Sequence, residues 1–436
     1  MLLIYSSQIT NRVRYIFKYI FIDIIGLENI KFTDNKEEFI ASSDFKINYS
    51  LQPFADEIFF ASKSILFETG LKSFEVNVFD WNGYKAFFPV SKNSSLPFDV
   101  FAASFYLISR YEEYLPTIHD KHDRFDAHES LAYKNDFLKK PLVNQWAVLV
   151  KNILTERYPN LKINESKYSY ISTIDIDNAF AYREKGITRV LGGYLRALTQ
   201  LNFKEIKERT KVHFNKLKDP YDTYEYIRYL EKKYQPKTIY FFLVADYGVN
   251  DKNVPIQSKV FRTLIKSIAD TSAVGVHPSY GSNKNPEVLA TEIARIEKVL
   301  NRHVTKSRQH FLKLQFPKTY RILQDIDITD DYTMGYANEV GFRASSCTPF
   351  NFYDLDLELE TKLKVHPFQV MDATLNLYMK LSPEEVMPIL KPMIDEVKKV
   401  NGTFVSLWHN ETLCDEKQWM GWKNILEKVM NEATKS

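Results

Sequence analysis

The chain has 436 residues, 44% hydrophobic and 26% charged, which excludes a disordered chain and exceeds one ordinary core, so two domains are expected. A formal charge of +3 is nearly neutral for this length and gives nucleic-acid binding no support. Two cysteines, Cys347 and Cys414, exclude a disulfide framework and a cysteine-built zinc site.

In chain order, Met1-Leu-Leu-Ile-Tyr-Ser-Ser7 lacks the basic region and long apolar stretch of a secretory signal. The apolar segment Val13 to Gly26 carries Arg14, Lys18 and Asp23 and is too short to span a bilayer, so the expectation is a cytoplasmic protein without a membrane span. Within it Ile16, Tyr19, Ile20, Ile24 and Leu27 keep helical spacing. Phe74-Glu-Val-Asn-Val-Phe79 alternates and predicts a strand, and Leu96 to Leu115 predicts an apolar helix with a Pro near its first turn. The polar loop Thr117 to Glu129 reads as solvated, with a lid as the lesser alternative. The segment Leu154 to Lys167 has no clear period and marks a boundary. It separates an N-terminal α+β domain (1–160) from a second domain (166–436).

From Tyr168 the pattern becomes strand, loop, helix, strand. A helix is predicted from Asp219 to Tyr234, stopped by Pro236, followed by a strand over Thr238 to Ala245. Asn285-Pro-Glu caps another helix, and Ser382-Pro-Glu-Glu is a capping box before a third. Asn401-Gly402 ends that helix, and Thr403 to Trp408 is the final strand. Alternating units of this kind imply a mostly parallel sheet, open or closed, with sites at the carboxyl ends of the strands.

The chemistry-bearing residues stand at those ends. Asp175 and Asp177 leave the run Tyr168 to Ile176, where an unpaired carboxylate is costly unless it binds a metal, pairs with a cation or moves protons. His277 precedes Pro278 after an apolar run and has a ligand-type imidazole. Arg308 and His310 follow two residues apart, the first able to orient a carboxylate, the second a ligand or a packed neighbour. His409 ends the last strand and suits a general acid. Asp246 ends a strand and is a further candidate for the pocket wall. For Arg343, His366 and Asp372 a structural role weighs at least as much as a functional one. There is no phosphate-binding glycine loop and no G-x-S-x-G elbow.

In this order the motifs resemble the polysaccharide deacetylase family, metal-dependent sugar N-deacetylases, and in particular bacterial members with an extra N-terminal domain. Thr173-Ile-Asp-Ile-Asp177 resembles the family's T-F-D-D-G, His277-Pro-Ser-Tyr-Gly281 its H-[ST]-x-x-H, and Leu407-Trp-His409 its leucine-x-histidine. The stretch Ser109 to Pro116 is shared with the two-domain group. The resemblance implies a distorted (β/α) barrel over Tyr168 to the C-terminus. It also implies a carbohydrate substrate and a divalent metal, zinc before others. By the same likeness Asp175 is the base, Asp177 and His277 are metal ligands, Arg308 is the arginine of the third motif and His409 is the general acid. Two departures stand out. Ile176 splits the Asp pair, which leaves an exchange of the roles of Asp175 and Asp177 open, and Gly281 stands where the family has its second metal-binding His, leaving His310, Asp246 or a water for that place. A catalytically inactive glycan-binding relative is the alternative that the absent His suggests. An Asp175→Asn variant is expected to lose turnover with its fold intact.

Overall fold

The computed structural model describes residues 1–435. Its strands are β1 (Leu2–Ser6), β2 (Ile30–Thr33), β3 (Phe45–Ser50), β4 (Ile58–Ala61), β5 (Phe79–Trp81), β6 (Tyr84–Ala86), β7 (Ser169–Ile176) and β8 (Lys237–Phe242). They continue with β9 (Ala273–Val276), β10 (Lys306–Ser307), β11 (Asp330–Asp331), β12 (Phe350–Asp354), β13 (Leu359–Val365), β14 (Val370–Met371) and β15 (Thr403–His409).

The first four form a sheet in the order β2-β1-β3-β4, parallel throughout. This is α/β rather than the expected α+β arrangement: helices Asn11–Lys18 and Lys36–Ala41 are the crossovers that parallel neighbours require. Apolar β4 and helix Val100–Ile108 are buried along their whole lengths. Asp99 caps that helix by accepting from the backbone N–H groups of Phe101 and Ala102. The expected strand over Phe74 to Phe79 joins a ladder only at Phe79, because the residues before it find no partner strand. Phe74 packs instead on Phe88, Tyr106 and Tyr111.

The second sheet runs β12-β13-β11-β10-β9-β8-β7-β15-β14. It is open, which corrects the expected barrel. The free edge of β13 is taken by antiparallel β12, so no ladder forms between β13 and β14. Pro367, in the short connection between them, has no N–H to offer one. Gln369, just before β14, instead bonds β15, accepting from Val405 N–H through its side-chain oxygen at 2.7 Å. All strands except β12 share one direction, so their carboxyl ends form one rim.

The helices follow their caps. Asn285 caps Pro286–Leu300 and the Ser382 box opens Pro383–Lys399. The helix expected from Asp219 begins at Tyr224, because the Asp219 carboxylate accepts from Ala181, Tyr182 and Arg183 N–H and holds the loop after β7. One apolar core extends through both sheets. Buried polar links cross it as well. Glu113 accepts from Arg110 and from Arg343, so the Ser109–Pro116 and Gly341–Ser345 stretches meet in a structural ion-pair cluster.

Candidate metal centre

The rim brings Asp175, Asp177, His277, His310 and His409 together around one cavity of about 450 Å³, and Arg308 stands buried behind Asp175, outside the cavity lining. Strand register explains the gathering. Asp175 lies beside His409 across β7 and β15, and Val276 lies beside Ser307 across β9 and β10. Each strand therefore releases its polar residue at the same level.

One oxygen of Asp177 and one nitrogen each of His277 and His310 lie within 4.8 Å of one another. Their second atoms are fixed elsewhere. His277 Nδ1 is 2.5 Å from the Arg308 carbonyl and His310 Nδ1 is 2.9 Å from Asp251 Oδ1, so each ring is oriented through Nδ1 and turns Nε2 toward Asp177. Against the opposing effect of burial, Asp177 and Asp251 raise His310 to about 9, so a cation bound there would take the place of its Nε2 proton. His277 Nε2 is 3.0 Å from Asp177 Oδ1, yet that buried oxygen accepts no hydrogen bond. The two atoms are close without hydrogen-bond geometry between them. An orphaned carboxylate oxygen and two pre-oriented imidazoles fit a divalent cation, and two nitrogens with one oxygen suit zinc. Gly281 contributes no ligand; His310, on the next strand end, occupies the third corner. Asp246 is excluded from the cavity, being exposed and paired with Arg295 at 2.9 Å.

Arg308 is fully buried, with Phe241 and Phe368 beside its guanidinium, and donates to Asp175 Oδ1 at 3.0 Å, Thr173 Oγ1 at 2.6 Å and the Tyr332 carbonyl at 2.9 Å. Gly275 makes room for this stack: a Cβ there would lie 2.6 Å from the Phe241 ring. On the opposite side Asp372, at the end of β14, sits 2.8 Å from His409 Nδ1 and accepts from His409 N–H and Thr412.

Charge coupling is strong. Burial opposes ionisation of Asp177, but His310, His277 and His409 hold its carboxyl well below the usual range. Burial likewise opposes a charged His409, and Asp372 with Asp177 and Asp175 outweighs it, keeping the ring protonated. Burial and neighbouring Asp177 push Glu411 up to about 7.

Asp372, weighed from the sequence as at least as much structural as functional, belongs to the site, which also holds residues the sequence did not single out. Asp372 ends an apolar run as Asp246 does, so its signal was present but undiscriminating. Asp251 and Glu411 carry no such signal. The Thr117–Glu129 loop is not merely solvated: buried Arg124 lines the cavity and donates to the Phe311 carbonyl at 2.8 Å and Tyr378 at 3.0 Å. His366 packs on Tyr332 and bonds Asp330, away from the centre.

Residues 2–159 match a family of unknown function, DUF7033. No curated protein matches the chain. Among solved structures, a protein assigned as a polysaccharide deacetylase from Mycobacterium smegmatis is 11% identical with a TM-score of 0.39, over 61% of this chain and 85% of its own. A CE4 family pseudoenzyme from Bacillus anthracis is 11% identical with a TM-score of 0.29, over 61% of this chain and 62% of its own. A mutant CE4 family pseudoenzyme with restored enzymatic activity is 13% identical with a TM-score of 0.29, over 61% and 64%. Likenesses this distant say nothing of activity.

Proposed function

We propose that the chain is a metal-dependent hydrolase that removes the acetyl group from an N-acetylated sugar or glycan. The observation that carries this reading is the convergence of Asp177, His277 and His310, with both Nδ1 atoms held back and one buried Asp177 oxygen left unpartnered. These three residues would hold the ion. When bound, a zinc-like ion supplies Lewis-acid polarisation of an acyl oxygen and acidifies water.

The remaining groups divide the proton work. Arg308 fixes one oxygen of Asp175, and the other, 3.7 Å from His277 Nε2, takes the proton of an attacking water. His409, held by Asp372 through Nδ1, gives its Nε2 proton to the departing amine. Acetate and the free amino sugar are the products. Tyr221, Phe311, Tyr378 and Trp419 line the cavity and offer faces for a sugar ring.

Metal analysis of purified wild-type protein and His277→Ala is the test. About one ion per chain in the wild type, lost in the variant, with acetate released from N-acetylated sugars by the loaded protein, supports the reading. A chain that stays metal-free after incubation with zinc, cobalt or nickel, yet binds glycans, is the inactive glycan-binding alternative.

A further inference from the structure

Between β7 and the helix Tyr224–Tyr234 lies a hairpin of two helices, Ile187–Thr199 and Phe203–His213, whose sidedness is reversed. A surface helix of a globular protein turns its apolar stripe inward. In the first helix Ala197 is the one buried residue, while Ile187, Leu191, Leu195 and Leu198 share one face and point outward, Ile187 at 80% and Leu191 and Leu195 at 63% exposure. Leu201 and Phe203 continue that apolar surface across the turn. The two helices are held to each other by polar contacts: Tyr194 bonds Thr210, and the Arg209 guanidinium lies where a side chain on Gly193 would stand.

Charge follows the same segment. Residues 187–213 carry six Lys and Arg against two Glu, a net +4 in a chain whose total is +3, so the rest of the molecule is net negative. On the second helix Lys204, Lys207 and Lys211 are exposed at one-turn spacing, and among the described residues none of them is in an ion pair. Leucines and a phenylalanine beside unpaired lysines are the pattern of a helix that lies in a lipid headgroup layer. Among the described residues no helix is long and apolar enough to cross a membrane, which separates lying on from spanning.

The hairpin is also joined to the candidate metal centre. Arg189 donates to the carbonyls of Asn253 and Lys252, and Lys252 lines the metal cavity. A basic groove against the hairpin shares Asn178, Tyr221 and Trp419 with that cavity. We propose that the 187–213 hairpin docks the protein on an anionic bilayer surface, with leucines entering the headgroup region and lysines pairing with lipid phosphates. The cavity mouth would then stand beside the membrane.

Co-sedimentation with phosphatidylcholine vesicles, with and without phosphatidylglycerol, tests this on the full chain without catalysis. Binding is expected on the anionic vesicles and to be weakened by salt. Leu191→Ser with Leu195→Ser should reduce it about tenfold or more, as should Lys204→Glu with Lys207→Glu and Lys211→Glu. All five positions are exposed, and unchanged circular dichroism and metal content verify the fold. No binding to either vesicle, or variants that bind as wild type does, overturns the proposal. So does a dimer in sedimentation velocity that the leucine changes dissolve while vesicles are ignored; the face would then serve a second copy. Vesicle binding and acetate release are separate readouts, so either can fail alone.

Discussion

Replacing Asp175 by Asn tests both the proposed chemistry and the buried charge beneath it. Arg308 is wholly buried; among the described residues its Nη2 has no partner and its one carboxylate contact is Asp175 at 3.0 Å. Two unit charges about 4 Å apart interact by about 4 kcal/mol at an effective dielectric near 20. Asn keeps an acceptor for Nη1 and no longer desolvates a charge, so the net cost is about 2–3 kcal/mol. That is less than the roughly 3–5 kcal/mol for a buried pair broken outright. At roughly 2.1 cal/mol/K of unfolding entropy per residue, the 436-residue chain should lose about 3 °C in Tm. The fold is therefore expected to stay intact and to weaken measurably. With metal content matched, acetate release should fall by about 10²–10⁴. Calorimetry and an acetate assay on the same samples separate the effects. A variant melting with the wild type refutes the charge reasoning, and turnover within about tenfold of wild type removes Asp175 as the base.

Further outcomes follow from neighbouring residues. Asp251→Asn should lower zinc affinity by about 10–100-fold through the His310 ring it orients, measured by competition with a chelating dye; unchanged affinity would show that Asp251 does not position the ligand. Glu113→Ala leaves buried Arg110 and Arg343 without their shared carboxylate and should cost about 3–5 kcal/mol in denaturant unfolding, whereas a loss below 1 kcal/mol would refute the cluster's structural role. Burial, with Arg189 beside it, lowers Lys185 to about 7 from 10.5, so the folded chain binds fewer protons than the unfolded one across that window. Stability should rise with pH there, and Lys185→Met should raise Tm at pH 7 and below with a gain that shrinks toward pH 10; a pH-independent difference would refute the assignment. Gly275→Ala must displace the Phe241 ring that supports Arg308, at about 1–3 kcal/mol, and an unshifted Tm would refute that close contact.

Much of the candidate centre was legible in the chain because strand ends advertise themselves locally. An apolar run that stops at Asp177, His277, Arg308 or His409 has reached the point where burial ends and a polar side chain must have a purpose. The helix caps at Asn285 and Ser382 are equally local, each resting on contacts three residues away. What lay beyond the sequence was pairing through space. Asp246 and Asp372 end their runs alike, yet packing sends one to Arg295 in solvent and the other to His409 in the cavity. His310 stands at the third corner of the triad, where Gly281 offers no ligand, because β9 and β10 are neighbours, a fact of sheet order that no motif spacing contains. The sheet stays open because β12 turns back onto β13, a competition between two partners for one row of backbone groups. Composition and periodicity determined the alternating α/β class and the residue types at the rim. Tertiary structure decided which of them meet, because ligand geometry depends on distances of a few ångströms between residues tens to hundreds of positions apart.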